Sequence, residues 1–241
     1  MIEFRAVTKR FPDGTVAVDD FSLVIPSRKI TVFVGSSGSG KTTLLRMINR
    51  MVDPTGGDIE IDGDSIMSKE PVALRRSIGY VMQNSGLLPH FKVIDNVTTV
   101  PTLNGVPKKQ AREQALELLD TVGLMDEPFG AVDPIVRAEL QQETISLQHE
   151  LDKTIVFVTH DIDEAFLLGD QVVILEKGAK IAQVGSPNEI MAAPASDFVA
   201  DFIGAERGKR ALSLKKTANG TILVDSEGRG AGVLVGGSEL A

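Results

Sequence analysis

The feature that most constrains this chain is a nine-residue run rich in glycine and serine, at positions 35–43. It reads G-S-S-G-S-G-K-T-T and matches the pattern G-x-x-x-x-G-K-[ST] without a gap. The continuous apolar run Ile30–Val34 precedes it, and a helical pattern from Lys41 to about Met51 follows it. A buried strand, a tight glycine loop and a helix N-terminus in this order predict a cradle for phosphate groups.

Each residue type in the loop is predicted to make a different contact with a bound nucleotide. The glycines let backbone N–H groups curl around phosphate oxygens, and the helix N-terminus adds its dipole. Lys41 is predicted to reach the β- and γ-phosphates, Thr42 to ligate Mg²⁺, and Thr43 to touch the α-phosphate. The predicted nucleotide-binding residues of the loop are Gly35, Ser36, Ser37, Gly38, Ser39, Gly40, Lys41, Thr42 and Thr43.

A second acidic motif, M-D-E-P-F-G-A-V-D, occupies positions 125–133. Asp126 is predicted to hold Mg²⁺ through water, and Glu127 to polarise an attacking water molecule. An exposed acidic turn before Pro128 is the competing interpretation. The residues that follow, F-G-A-V-D-P, favour the functional one.

Three further residues complete the candidate site. His160 ends the apolar run T-I-V-F-V-T-H, where a histidine can hydrogen-bond a γ-phosphate. Gln83 follows the run Ile78–Met82 and could coordinate Mg²⁺ or the attacking water, although a solvated side chain is also consistent. Phe11 lies in the turn K-R-F-P-D-G and could stack on adenine, or pack as an ordinary apolar residue.

Composition narrows the classes of partner. The 241 residues are 42% hydrophobic and 24% charged, enough for one domain with a sizeable core. A net charge of −8 argues against nucleic acid, and the lack of cysteine excludes disulfides and thiolate metal sites. The N-terminus has no apolar signal region, and no apolar run approaches the roughly 20 residues of a membrane helix. A membrane role would therefore run through a partner.

The alternation of apolar strands and helices predicts an α/β sheet. An antiparallel edge sheet is expected from 2–8 and 16–25, split by a turn at Pro12-Asp13-Gly14. The other predicted strands are Ile30–Val34, Asp58–Ile61, Ile78–Met82, Ile155–Thr159, Val172–Leu175, Lys180–Val184 and Thr221–Val224. The predicted helices span Lys41 to about Met51, 95–103, Pro134–Leu151, and two short segments near 187–192 and 196–203. Another predicted helix begins at Pro107 and has Ala111, Ala115, Leu118, Leu119 and Val122 on one face. A further one is capped by Asp161 and ends at Gly169.

In this order, the motifs resemble the nucleotide-binding subunit of an ATP-binding-cassette transporter. Gly35–Thr43 resembles its Walker A motif, Gln83 its Q-loop, Asp126-Glu127 its Walker B motif, 130–133 its D-loop and His160 its switch histidine. Phe11 stands where the family places its adenine-stacking aromatic. The stretches I-G-Y-V-M-Q-N-S-G-L-L-P-H-F-K-V-I-D-N-V and V-T-H-D-I-D-E-A-F-L-L-G-D are similar to importers of quaternary amines: glycine betaine, carnitine, choline and proline.

The resemblance implies a P-loop NTPase core sheet with flanking helices, an antiparallel N-terminal β-subdomain and a truncated helical subdomain. It implies ATP and Mg²⁺ as ligands, and ATP hydrolysis coupled to uptake of an osmoprotectant. The implied partners are transmembrane permease subunits, a second ATPase subunit in a homodimer and, indirectly, an extracytoplasmic solute-binding protein. The implied location is cytoplasmic, on the inner face of the cell membrane. Many such subunits end in a tandem regulatory module, for which the residues after Gly204 are too few.

One family motif, the L-S-G-G-Q signature, does not occur in the sequence. The Gly-Gly pairs, at Gly56-Gly57 and Gly236-Gly237, stand in T-G-G-D and V-G-G-S. Only Gly123, Leu124 and Met125 separate the helical pattern ending at Val122 from Asp126, whereas a buried strand needs about five residues. We therefore expect an ATP-binding domain over 1–204 with an internal deletion near 124–125, and a tail over 205–241.

Two function classes follow. The first is an ATPase subunit that drives import of a quaternary amine. The second is a nucleotide-binding but hydrolysis-deficient remnant, because the signature helix of one subunit normally faces the γ-phosphate held by the other. The junction over 119–128 is expected to be the least stable part of the domain, or to leave an exposed sheet edge. A P-loop kinase or GTPase is disfavoured, since the sequence has no N-K-x-D-like guanine motif.

Overall fold

The structure, a computed structural model, describes most of the chain. The described residues are 1–81, 88, 90–121, 145–146, 148, 150, 152–204, 213–217, 220–224 and 230–233. Gln83, Asp126 and Glu127 lie outside them, as do the predicted D-loop, most of the predicted helix Pro134–Leu151 and the junction from Val122 onward.

An antiparallel sheet of four strands is built from the first third of the chain. Its strands are β1 (Ile2–Arg10), β2 (Val16–Ile25), β4 (Gly56–Ile61) and β5 (Asp64–Ser65), and the spatial order is β2-β1-β4-β5. The predicted N-terminal β-subdomain is thus confirmed, with β1 two residues longer than expected. The extension is paired on one side, because Lys9 faces Val18 and Arg10 faces Val16 on β2.

A second sheet carries the predicted phosphate cradle. Its strands are β3 (Ile30–Gly35), β6 (Ile155–Thr159), β7 (Gln171–Leu175) and β8 (Ile181–Gly185), in the spatial order β6-β3-β7-β8. β3 is parallel to both β6 and β7, whereas β8 returns antiparallel to β7. Every residue of β3 is buried, as a continuous apolar run at the centre of a sheet requires.

The helices in the described ranges are mostly short. They are α1 (Lys41–Ile48), α2 (Pro71–Ser77), α3 (Val93–Leu103), α4 (Lys108–Thr121), α5 (Ile162–Leu168), α6 (Pro187–Ala192) and α7 (Asp197–Phe202). Asp161 caps α5 as predicted, because its carboxylate accepts hydrogen bonds from the backbone N–H groups of Asp163 and Glu164. In this part of the chain, no helix has both the length and the apolar character needed to cross a membrane.

Two apolar cores lie against this framework. One includes three aromatic rings, Phe4, Phe21 and Phe33, in edge-to-face contact with centroid separations of 5.1 and 6.3 Å. It joins the antiparallel sheet to β3 and to the buried side of α1. The other packs α5, α6 and α7 against β3 and β7. Together they fix the loop after β3 between a rigid strand and a rigid helix.

Three local predictions were wrong. Ile78–Val81 is not a strand: the N–H of Ile78 is bonded to Arg75 O at the end of α2, and Val81 is 93% exposed. α1 ends at Ile48 rather than Met51, because the Arg75 guanidinium binds the carbonyls that follow this helix. Leu118 is 54% exposed, although Ala111 and Ala115 on the same predicted face are buried.

The tail holds more structure than predicted. Its described residues form a separate antiparallel sheet of β9 (Ser213–Thr217), β10 (Gly220–Val224) and β11 (Gly230–Val233), with β10 in the middle. Only β10 was expected. The flanking strands are short and rich in glycine, lysine or serine, so they lack the apolar alternation that indicates a strand.

Candidate nucleotide-binding site

The loop over 35–43 has the conformation that its glycines make possible. Gly38 and Gly40 have φ angles of 78° and 92°, in the left-handed region that disfavours other residues. Gly40 caps α1 through its carbonyl, which accepts a 2.9 Å hydrogen bond from Leu44 N–H. The first-turn N–H groups of Lys41, Thr42 and Thr43 have no partner within the helix, so they can bind an anion.

The Lys41 ammonium group closes over the loop. Its Nζ donates hydrogen bonds to Gly35 O at 2.7 Å, Ser36 O at 2.8 Å and Ser39 Oγ at 3.2 Å. The three contacts use all three of its N–H donors. Partial burial also lowers the pKa of Lys41 below its ordinary value. A phosphate group would supply the charge that compensates for this desolvation.

Two glycines of the loop are needed because backbone atoms approach them closely. A Cβ on Gly35 would collide with Leu175 O of β7, and a Cβ on Gly40 would lie 2.5 Å from Ala17 O of β2. Neither carbonyl can move without breaking a sheet. The loop is therefore wedged between the two sheets, and its position follows from theirs.

A support for the loop that the sequence analysis missed comes from the turn between β7 and β8. The backbone N–H of Ala179 donates a 3.0 Å hydrogen bond to Ser39 O, and Ala179 is buried in a left-handed conformation with φ 59°. Ser39 itself is only 1% exposed. The sequence signal for this turn is Lys177-Gly178, but nothing local indicates which loop it touches.

His160 is brought beside the loop by the sheet register. Val34 of β3 lies opposite Thr159 of β6, so His160 follows β6 at the level where Gly35 begins the phosphate loop. The His160 side chain is exposed. Since the carboxyl ends of parallel strands form the ligand-binding edge of such sheets, loop and histidine face the same space.

Phe11 follows β1 in the turn that leads into β2. Its N–H donates to Thr15 O at 2.9 Å, and its carbonyl accepts from Gly14 N–H at 2.9 Å. Two residues after Thr15, Ala17 lies against Gly40 of the phosphate loop. The turn that carries Phe11 therefore leads into a strand that contacts the N-terminus of α1, and the predicted base-stacking role of Phe11 stays a prediction.

The remaining predicted site residues are not part of the described ranges. Gln83, Asp126 and Glu127 keep their predicted roles as predictions. Within the described ranges, no group of three histidine or acidic side chains is placed to hold a metal ion. The predicted Mg²⁺ ligands Thr42, Gln83 and Asp126 supply hydroxyl, amide and carboxylate oxygens, the donor types that suit this ion.

The family model described as ABC transporter matches residues 18–149, more than half of the chain. The chain belongs to the ABC transporter family. This match spans the phosphate loop and the acidic motif, and it ends before His160. The mixed α/β architecture around the P-loop is the fold of the family's ATP-binding cassettes.

Curated members of the ABC family share 35–44% identity with this chain. The glycine betaine/carnitine/choline transport ATP-binding protein OpuCA of Bacillus subtilis is 44% identical over 86% of this chain and 63% of its own length. The glycine betaine uptake system ATP-binding protein YehX of Escherichia coli is 38% identical over 91% of this chain and 82% of its own length. The chain thus spans about 63% of the length of the OpuCA protein that it matches.

Solved ABC cassettes share the fold. The dimeric structure of MJ0796, a bacterial ABC transporter cassette, is 25% identical with a TM-score of 0.67, over 78% of this chain and 99% of that one. The cassette cbiO1 from Clostridium perfringens has a TM-score of 0.71 at 24% identity, over 85% of this chain and 94% of that one.

Proposed function

We propose that this chain is the ATP-binding subunit of an ABC importer for quaternary-amine osmoprotectants. The observation that carries the proposal is the wedged loop over 35–43, in which the Lys41 ammonium group lies against the loop at the N-terminus of α1. The names of the relatives, which transport glycine betaine, carnitine or choline, support the solute class. Permease subunits as membrane partners, and a place on the inner face of the membrane, follow from the same proposal.

In this proposal, the predicted site residues have the following roles in handling ATP. Lys41 and the first-turn N–H groups of α1 bind the phosphates, and Phe11 offers an apolar ring to the base. Thr42, Gln83 and Asp126 would hold Mg²⁺, which neutralises phosphate charge when bound. Glu127 would orient the attacking water, and His160 would donate to the γ-phosphate from the end of β6.

A missing internal segment is part of the proposal, and the alignment lengths support it. The alignment with YehX is 254 positions long, which is longer than the 241-residue chain, but it includes only 91% of the chain's residues. Some aligned positions are therefore gaps in this chain. The match to OpuCA runs over 241 aligned residues but takes in only 86% of the 241 residues here, so about 34 positions lack a counterpart. We place them near 124–125, between the helical subdomain and the acidic motif. None of the relatives' names favours a remnant without a transport role.

The test of the proposal is a nucleotide titration of the purified chain. We expect ATP to bind, and Lys41→Ala to abolish the binding, because a charge-assisted contact of about 1.5–3 kcal/mol is lost. Lys180→Ala is the matched control: it removes an exposed lysine near the loop but not in it. Equal ATP affinity of Lys41→Ala and the parent would show that the loop is not the phosphate site.

The solute class needs a separate measurement. Once the missing segment is supplied, the chain should restore uptake of radiolabelled glycine betaine or choline in a strain without such importers, when it is produced together with the permease and solute-binding protein of a quaternary-amine importer. Uptake of neither compound in a system that binds ATP would contradict the solute class and leave the ATP site standing.

A further inference from the structure

We infer that Lys9 is a positioning residue for the nucleotide base, because it holds the Phe11 ring from one face and leaves the other for the base. The inference rests on the proposed ATP-binding function and adds a residue that the motif analysis does not include. It starts from one contact: the Lys9 Nζ lies 5.3 Å from the centroid of the Phe11 ring. That separation is within the range of a cation–π interaction.

The lysine is fixed independently of the ring. Its Nζ donates a 2.7 Å hydrogen bond to the carbonyl oxygen of Asp53, in the loop that follows α1. The Asp53 carboxylate in turn accepts a 3.0 Å hydrogen bond from Arg50 Nε. Arg50 follows the helix whose N-terminus forms the phosphate site. The ammonium group is therefore tied to the same helix that would bind the phosphates.

The backbone under the ring is fixed as well. Thr55 donates to Thr8 O through both its N–H, at 2.8 Å, and its hydroxyl, at 3.0 Å. Its Oγ1 also accepts a 3.0 Å hydrogen bond from Arg10 N–H. These contacts hold the end of β1 against the loop after α1. Phe11 consequently follows a strand end whose backbone is held in place.

An open cleft of about 550 Å³ adjoins the ring. It is lined by Thr8, Lys9, Arg10, Phe11, Pro12 and Thr55. On the other side of the turn, Ala17 of β2 contacts Gly40 of the phosphate loop. A nucleotide with its phosphates at Lys41 can therefore direct its base toward Phe11.

The chemistry of the contact indicates what the free face should accept. A cation draws π-electron density toward its own face of the ring, so the opposite face becomes a better partner for a neutral, electron-rich heteroaromatic ring. Adenine is of that class. Since the Asp53 carbonyl keeps the ammonium in place, we expect Lys9 to stay on its face when the base arrives.

The test is a double-mutant cycle with two probes, ATP and base-free inorganic tripolyphosphate. Lys9→Met keeps the length of the side chain and removes the charge, so we expect a loss of ATP affinity of about 3- to 10-fold. Tripolyphosphate affinity should not change, and Lys9→Arg should stay near the parent. In a Phe11→Ala background, Lys9→Met should cause no further loss. Lys69→Met, which removes a lysine paired with Asp64 instead, is the control.

The outcomes separate this inference from the function on which it rests. Unchanged or tighter ATP binding by Lys9→Met, or an equal loss for both probes, overturns the positioning role alone. A parent chain that binds neither probe overturns the ATP-binding proposal and this inference with it. Thermal unfolding of each nucleotide-free variant tests whether the variant is still folded. If Lys9→Met and Lys9→Arg both lose thermal stability together with ATP affinity, the result would count against the inference.

Discussion

At the scale of single residues, the phosphate loop depends on glycine for two different reasons. Gly35 has ordinary backbone angles but no room, because Leu175 O of β7 occupies the place of a Cβ. Gly38 has room on all sides but a φ of 78°. The sequence has glycine at both positions, and only the structure shows that one is a steric and the other a conformational requirement.

This distinction gives a prediction on stability. Gly35→Ala should lower the free energy of unfolding by about 1–3 kcal/mol and displace the loop, since two paired strands would have to separate. Gly38→Ala, the control within the same loop, should cost about 1 kcal/mol through strain alone. Urea unfolding of the nucleotide-free variants measures both. Equal stability of the two variants would show that β7 yields easily at Leu175.

At the scale of elements, the described helices α2, α5, α6 and α7 each begin after a residue whose side chain caps them. In α6, Ser186 and Glu189 form a capping box: Glu189 Oε2 accepts from Ser186 N–H at 2.8 Å, and Ser186 Oγ accepts from Glu189 N–H at 3.4 Å. The hydrogen bond from the Ser186 backbone, followed by that from its hydroxyl, lowers the pKa of Glu189. α6 packs on the core through Ile190.

The lowered pKa implies a pH dependence with a definite sign. A carboxyl with a lower pKa in the folded chain contributes stability above its unfolded pKa of about 4.3, and this is lost as the pH falls through the folded value. Glu189→Gln should therefore destabilise the protein slightly near neutral pH and by less in acid. Urea unfolding at both pH values, with the exposed Glu113→Gln on α4 as control, checks this. A difference that grows in acid would contradict the assignment.

Strand β6 is less buried than β3, the strand it pairs with. Among the described strands it pairs with β3 alone, and most of its apolar residues are only half-buried, whereas β3 is buried throughout. The failure of Ile78–Val81 to form a strand has the same basis, since an extended segment is stable only when its backbone groups are paired.

At the scale of the whole molecule, we predict that the proposed loss of an internal segment limits the rate of ATP hydrolysis. Removing one preorganised donor can slow a reaction by about 10²–10³-fold, and the sequence has no L-S-G-G-Q signature to supply such donors. We expect very slow turnover, little changed by Glu127→Gln. A chimaera with the OpuCA segment inserted after Leu124 should hydrolyse ATP at least about 10²-fold faster, and Glu127→Gln should abolish that gain.

The measurement is phosphate release under saturating ATP, with Lys41→Ala in both backgrounds as the binding-deficient control. Fast turnover by the parent that Glu127→Gln eliminates would show that another part of the chain replaces the signature. A chimaera as slow as the parent would place the defect elsewhere.

The sequence by itself determined the features whose contacts span only a few residues. The strand–loop–helix unit over 30–48, the Asp161 cap, the hairpin of β7 and β8, and the helices α6 and α7 were all predicted, because their hydrogen bonds close between near neighbours. The family followed from the same local motifs, since phosphate recognition by a glycine loop is encoded in one continuous segment.

The tertiary structure decided everything that depends on distant segments meeting. It placed His160 beside Gly35 through the pairing of β6 with β3, Ala179 under Ser39, and Lys9 between Asp53 and Phe11. It also left Ile78–Val81 unpaired and Leu118 exposed. No local pattern carries these outcomes, because an apolar residue is buried, and a strand is formed, only where another part of the chain supplies the partner.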